Sequence, residues 1–301
     1  MSADGGVARA ISPGIRAMAI GAFWFSIMSL LVKLAGQRMP AMQIIVFRTV
    51  ITLILSYAAV RRAGVRPVLG THRRLLLLRG LCGTIGLLGF FHSLVNNPLA
   101  EASLLQYTNP IFAILIAGLW LGERVGRAEL TSLALSLVGV VCITRPAALF
   151  GLSTTALSPA NVMIGLVGAF FSGSAYAVVR KIGNREHPTV VVFYLPLVAV
   201  PISLVLATGR WLMPGPLDWF YLVGAGAATQ VAQTYMTKGL QLETAARATT
   251  TGYLQVVFAG AWGAILLGER PGAWTLVGAA LIVGSAVTLA LSTKKGGVGD
   301  E

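Results

Sequence analysis

Apolar stretches about as long as a lipid bilayer is thick recur from one end of this sequence to the other, parted by short polar connections. On a ruler of roughly 20 mostly apolar residues per crossing, helices are predicted near residues 15–35, 41–60, 74–95, 100–120, 127–145, 161–182, 189–208, 218–240, 244–267 and 272–292. The connections read "NNPLAE", "LGER" and "MPGPLD", rich in the Gly, Pro and Asn that punctuate helix ends. The longest are "RRAGVRPVLGTHRR" and "RPAALFGLSTTALSP".

Composition turns ten helices into ten membrane spans. Of the 301 residues, 56% are hydrophobic and 11% charged, against about 25% charged in an ordinary soluble chain. The net charge of +13 would suggest nucleic acid in a soluble protein. Here it is better explained by cytoplasmic loops, where basic residues collect beside anionic lipid, so no nucleic-acid partner is expected. If the ten spans alternate, 16 of the 23 Lys and Arg fall on the side that holds both termini and 5 on the other, with Arg48 and Arg79 inside spans. That bias predicts an all-α, multi-pass protein of a bacterial inner membrane with both termini cytoplasmic. The tails are 1–14 and 293–301. The first apolar stretch follows Arg9 and Arg16 but is too long for a signal-peptide core, and is read as a retained span.

The sequence also repeats itself. "LGERVG" at 121–126 returns as "LGERPG" at 267–272, an offset of 146. The same offset lays "QIIVFRT" (43–49) on "TVVVFYL" (189–195) and Tyr107 on Tyr253; with one residue of drift "GAFWFS" (21–26) lies on "GAFFSG" (168–173). The chain therefore divides into two five-helix repeats, 15–146 and 161–292. Five is odd, so the second runs through the membrane in the opposite sense. Inverted repeats are common in secondary transporters, whose substrate sites lie near the midplane at the repeat interface.

"YTNPIFAILIAGLWLGER" closing the fourth span and "GYLQVVFAGAWGAILLGER" closing the ninth resemble the span endings of the EamA branch of the drug/metabolite transporter superfamily. The resemblance covers about 15–292. It implies export of small organic solutes, often amino acids or related metabolites, by alternating access. An importer of a vitamin-like metabolite and a polar-lipid flippase are compatible with it. The second copy departs from the first in having Val256 where the first has Pro110, so a role special to that proline would belong to one half.

Polar side chains inside a span are costly and face the bundle interior, which makes them the candidate solute contacts. Arg48, two turns into the second span, needs a partner, a solute carboxylate, a structural carboxylate or a helix-end carbonyl, or else must snorkel outward. Arg79, near a span end, is expected to snorkel to the headgroups. Gln106, Tyr107 and Asn109 cluster before Pro110, whose missing N–H frees the Gln106 carbonyl. Gln230, Gln233 and Thr237 share one face of the eighth span. Tyr253 is the repeat partner of Tyr107, and Trp24 and Tyr176 sit mid-span in helices that match each other. Pro196 and Pro201 predict bending of the seventh span and, with Pro110, are the gating candidates.

Coupling is less legible, because no carboxylate sits mid-span. His92 and Glu101 are the candidates for a proton relay, and facilitated export is equally compatible. An enzyme is not expected, since there is no HExxH, G-x-S-x-G or CxxC motif. His72, His92 and His187 fall on opposite sides of the membrane, and Cys82 and Cys142 lack partners at ligand spacing, so neither a metal nor another cofactor is expected. The expected partners are a small-molecule solute and membrane lipid, with a monomer sufficient for the pathway. In the LGER phrases the Gly suits a helix C-cap and the Glu the start of the next helix or an i, i+4 pair with Arg127.

Overall fold

The structure, a computed structural model, describes residues 11–97, 99–145, 158–207, 211–266, 268 and 272–291. Among these residues every regular element is a helix: α1 Pro13–Ala35, α2 Ala41–Arg62, α3 Arg73–Asn96, α4 Leu99–Gln106, α5 Asn109–Leu121, α6 Arg127–Thr144, α7 Pro159–Ile182, α8 Pro188–Leu206, α9 Pro216–Leu242, α10 Ala245–Gly252, α11 Leu254–Leu266 and α12 Ala273–Leu291. A single 3₁₀ turn, Gly183–Arg185, follows α7. The local signals act where helix physics places them. Pro13, Pro159, Pro188 and Pro216 occupy first turns, where a missing N–H costs nothing. Gly122 and Gly268, the glycines of the two LGER phrases, both turn the chain with φ of 67°, a left-handed conformation that a side chain would strain.

Eight helical stretches among the described residues are long and apolar enough to cross a membrane. The two remaining predicted spans differ for visible reasons. Helix α9 is 27 residues long but carries Thr229, Gln230, Gln233, Thr234 and Thr237, which dilute its hydropathy. The stretch 244–267, expected as one helix, is two, α10 and α11. The stretch 100–120 is likewise two, α4 and α5. In both halves the pieces are 8 and 13 residues long. The break therefore does not depend on Pro110, because the second half breaks with Val256 in its place. What the halves share is a 3₁₀-type tightening: the N–H of Ile111 bonds the Thr108 carbonyl at 3.0 Å, and that of Val256 bonds the Tyr253 carbonyl at 2.9 Å.

The two halves, α1–α6 and α7–α12, interlock. Helix α1 packs along α9, and α3 along α7, two contacts that the repeat exchanges; α6 packs on α12, its own equivalent. Small residues permit the close approach. Gly139 and Gly278 face each other so that a β-carbon on either would strike the other's carbonyl oxygen, and Ser136 and Ser285 share a hydrogen bond at that seam. The outer surface is apolar, with Leu119 90%, Val205 78% and Ile265 70% exposed. Ser56, Thr237 and Thr251 are by contrast fully buried. Apolar side chains outside and hydroxyls inside is the arrangement a lipid solvent selects. Cys82 and Cys142 are buried free thiols.

Candidate functional site

The doubled helix break brings the two halves together. At the end of α4 the Ile111 N–H has turned to Thr108, which leaves the Tyr107 carbonyl without its usual helical donor. The Tyr253 hydroxyl supplies one, donating to that carbonyl at 2.6 Å, with the two tyrosine rings 5.9 Å apart. Sequence reasoning expected the freed carbonyl at Gln106; the one with a partner is a residue later. Tyr107 and Tyr253 are separated by 146 positions, the offset of the repeat, so the bond joins equivalent residues across the approximate two-fold relation of the halves. Asn109 and Pro110 are buried beside it. The Gln106 Nε2 donates to Ser172 Oγ at 3.3 Å, and its buried Oε1 has no hydrogen-bond partner among the described residues.

Helix α9 presents the row expected of it. Ser56 donates to Gln230 Oε1 at 2.5 Å, while the buried Gln230 Nε2 has no partner among the described residues. Gln233 Oε1 accepts from Arg79 Nη2 at 3.1 Å. The Thr237 hydroxyl is buried without a partner among the described residues. Tyr176 on α7 lies within electrostatic range of both Arg79 and Tyr107, so it links the α9 row to the helix break.

Both intramembrane arginines are interior. Arg79 does not snorkel: it is 2% exposed, and its guanidinium lies along α3 in the space a β-carbon on Gly83 would fill. Gln233 is its one side-chain hydrogen bond on view, and its Nε has none among the described residues. The missing β-carbon at i+4 is what lets the side chain turn inward, a signal the sequence carried but hydropathy does not read. Arg48 is 7% exposed. Its Nη1 lies 3.4 Å from the Met28 sulfur, and its guanidinium sits 5.8 Å from the Phe91 ring centre. The partners expected for it, a structural carboxylate or a helix-end carbonyl, are not among the described residues. Phe91 is a contact of this cation.

The other candidates are less gathered. Trp24 is half-buried, edge-on to Phe23 at 6.2 Å. Pro196 is buried and Pro201 exposed, and α8 runs through both without interruption. His92 is exposed, with Nε2 3.2 Å from Asn161 Oδ1. The side chain of Glu101 lies outside the described residues, as do Glu269, Arg270 and Pro271 of the second LGER phrase.

Glu123, in the first phrase, does more than start a helix. It turns away from Arg127 to pair with Arg180 at the end of α7, and its Oε2 accepts the Ala245 N–H at 2.8 Å, capping α10 of the other half. Glu129 takes the capping-box role for α6 instead, accepting the Gly126 N–H at 2.9 Å. Nearby, Glu186 binds the start of α3: its Oε1 accepts from the Thr71 N–H and hydroxyl, each at 2.7 Å, and from the His72 N–H at 2.6 Å. Burial pushes the Glu186 carboxyl up, but these hydrogen bonds outweigh it and hold it below the ordinary carboxylate value.

Known proteins share this architecture. The Pseudopaline exporter CntI of Pseudomonas aeruginosa is 32% identical over 287 residues, covering 95% of this chain and 98% of that protein. The Riboflavin transporter of Vibrio cholerae is 28% identical over 249 residues, 81% of each chain. Human solute carrier family 35 member G1 is 27% identical, covering 90% of this chain and 77% of that one. A solved crystal structure superposes with a TM-score of 0.79 over 93% of this chain and 96% of its own, at 19% identity, a likeness of fold alone. The profile of the EamA-like transporter family matches residues 12–145 and again residues 160–291. Matched once by each half of its helix duplication, this multi-pass membrane protein belongs to the EamA-like transporter family, drug/metabolite-type transporters of small solutes.

Proposed function

We propose that the protein exports small organic solutes, amino acids or related metabolites, across the bacterial inner membrane by alternating access through a central cavity between residues 15–146 and 161–292. Ten spans, counting α4–α5 and α10–α11 as one crossing each, together with the positive-inside bias support a cytoplasmic location for both termini. The observation that carries this reading is the bond from Tyr253 to the freed Tyr107 carbonyl. Irregular backbone at membrane depth is tolerated where it is buried in protein or lines a cavity, and here it lies at the repeat interface, where inverted-repeat transporters bind substrate. Trp24, Arg48, Gln106, Asn109, Tyr176, Gln230 and Gln233 supply the surrounding polar and aromatic contacts. Pro110, Pro196 and Pro201 weaken their helices for the motion between access states. The relative that exports pseudopaline supports the outward direction. The riboflavin transporter supports a second reading, uptake of a vitamin-like metabolite through the same cavity.

The test is a transport panel in proteoliposomes with labelled amino acids, nucleosides and vitamins, repeated with Arg48→Ala and Gln233→Ala. A substrate that wild type moves and both variants lose supports the site. Equal transport by all three places the path elsewhere. Export from everted vesicles separates the two directions. Uptake that responds to an imposed pH gradient, and loses that response in His92→Ala and Glu101→Gln, would establish a proton relay; indifference to the gradient leaves facilitated export.

A further inference from the structure

Two buried cations in one transporter interior, neither held by a protein carboxylate among the described residues, is an expensive arrangement for a membrane protein to keep. The chain has ten Asp and Glu, and none falls in the middle of a predicted span; Glu101, Glu129 and Asp218 each lie within the first three residues of one. Among the described residues the ion pairs join Arg38, His72, Arg180 and Arg247 to acids at helix ends or turns. Arg48 and Arg79 take part in none of them. Each rests on soft or neutral groups: Arg48 on the Met28 sulfur and the Phe91 ring, Arg79 on the Gln233 amide oxygen with its Nε unmet.

Their spacing can be read along one helix. The Arg79 guanidinium lies against Gly83, and the Arg48 guanidinium lies against Phe91. Those two positions are eight residues apart on α3, which at 1.5 Å per residue separates the charges by roughly 12 Å along the helix axis. The rotation over eight residues is about 80°, so both lie toward one side of α3. Unmet amide atoms on Gln230 and Gln106 belong to the same interior.

We propose that the transported solute carries at least two acidic groups set apart along its length, one taken by Arg79 and the other by Arg48. This inference rests on the transporter reading and adds the charge and layout of the substrate to it. The planar five-donor fork of each arginine suits a carboxylate, which it binds bidentately. The solute thus supplies a counter-charge to both arginines, and releasing it leaves two cations that favour the next loading. The aromatic groups near these charges, Phe91 and Tyr176, suit an apolar linker between the two acids.

Purified full-length protein in detergent is titrated with linear dicarboxylates from succinate to sebacate and with the monomethyl ester of each, binding being read by thermal shift. One member of the series is expected to bind about tenfold or more tightly than its own half-ester, the scale of one charge-assisted contact. Arg48→Gln and Arg79→Gln are each expected to reduce that dicarboxylate to the affinity of the half-ester. A wild type that binds every dicarboxylate no better than its half-ester overturns the proposal, as does a variant that keeps the full preference. If either Gln variant fails to fold, Arg48→Lys and Arg79→Lys replace it. Selective weakening of diacid binding in these variants, with half-ester binding kept, supports the assignment, and a diacid preference equal to that of wild type overturns it. Transport in proteoliposomes separates this inference from its foundation. Neutral solutes moved equally well by wild type and both arginine variants leave a transporter whose substrate is not a diacid. No movement of any labelled solute removes the transporter reading and the proposal with it.

Discussion

Tyr253→Phe tests the role of the helix break most directly. Tyr253 is 1% exposed, and its hydroxyl donates at 2.6 Å to a carbonyl that has lost its helical N–H. Phe keeps the ring and removes the donor. An interhelical hydrogen bond in a membrane protein is worth on average about 0.6 kcal/mol, whereas a buried acceptor left unsatisfied costs about 1–3 kcal/mol. The break admits no second donor from its own helix, so the expected loss is about 1–2 kcal/mol. Tyr107→Phe is the control. Tyr107 enters this bond through its backbone, so the substitution should change stability by less than about 0.5 kcal/mol. Unfolding in mixed micelles by a denaturing detergent measures both. Transport adds a second prediction. Inverted repeats exchange conformations between access states, so in the opposite state the Tyr107 hydroxyl reaches for the Tyr253 carbonyl. Both variants should then slow transport, though only one destabilises the resting protein. Equal stability of Tyr253→Phe and wild type refutes the structural step, and unimpaired transport by Tyr107→Phe refutes the exchange.

Glu123→Gln removes the charge that pairs with Arg180 and weakens the cap on α10; a loss of about 1 kcal/mol in the same unfolding assay is expected. Glu123→Asp, too short to span both partners, should behave alike, and an unchanged midpoint for both would contradict the linkage. Gly83→Ala forces the Arg79 guanidinium from its place without touching the arginine; weaker substrate binding with intact folding is expected, and normal binding would show that the guanidinium position is immaterial. The Glu186 carboxyl is held below its ordinary value of 4.5, so its contribution to stability is present above that pH and is lost as pH falls through the lowered folded-state value. Glu186→Gln should flatten the acid limb of thermal stability below about pH 4.5, and a variant with the wild-type acid limb would assign that loss to other groups.

Much of the architecture is legible in the sequence because lipid imposes a one-dimensional rule: a segment that crosses must be apolar over a fixed length and must close its own hydrogen bonds. Helix bounds such as Ala41–Arg62 and Pro188–Leu206 follow from that rule, as does the duplication written in LGERVG and LGERPG. Turn glycines are equally local, and Gly122 and Gly268 behave as their position in the phrase dictates. The functional detail is another matter, because it depends on which helix lies opposite. Hydropathy assigned Arg79 to the headgroups; only the packing of α3 on α7 and α8, with Gly83 open beside it, turns the charge inward. Pro110 suggested a freed carbonyl in one half, yet both halves break, each with a 3₁₀-type tightening, at Thr108–Ile111 and at Tyr253–Val256. Glu123 looked like a partner for Arg127 one turn away and instead joins Arg180 and Ala245 across the repeat. Sequence determined that the chain is a run of apolar helical segments in two copies, since those are properties of the segment in its solvent. Tertiary structure decided which polar groups meet, since a buried charge is placed by the neighbours that surround it rather than by the chain on either side.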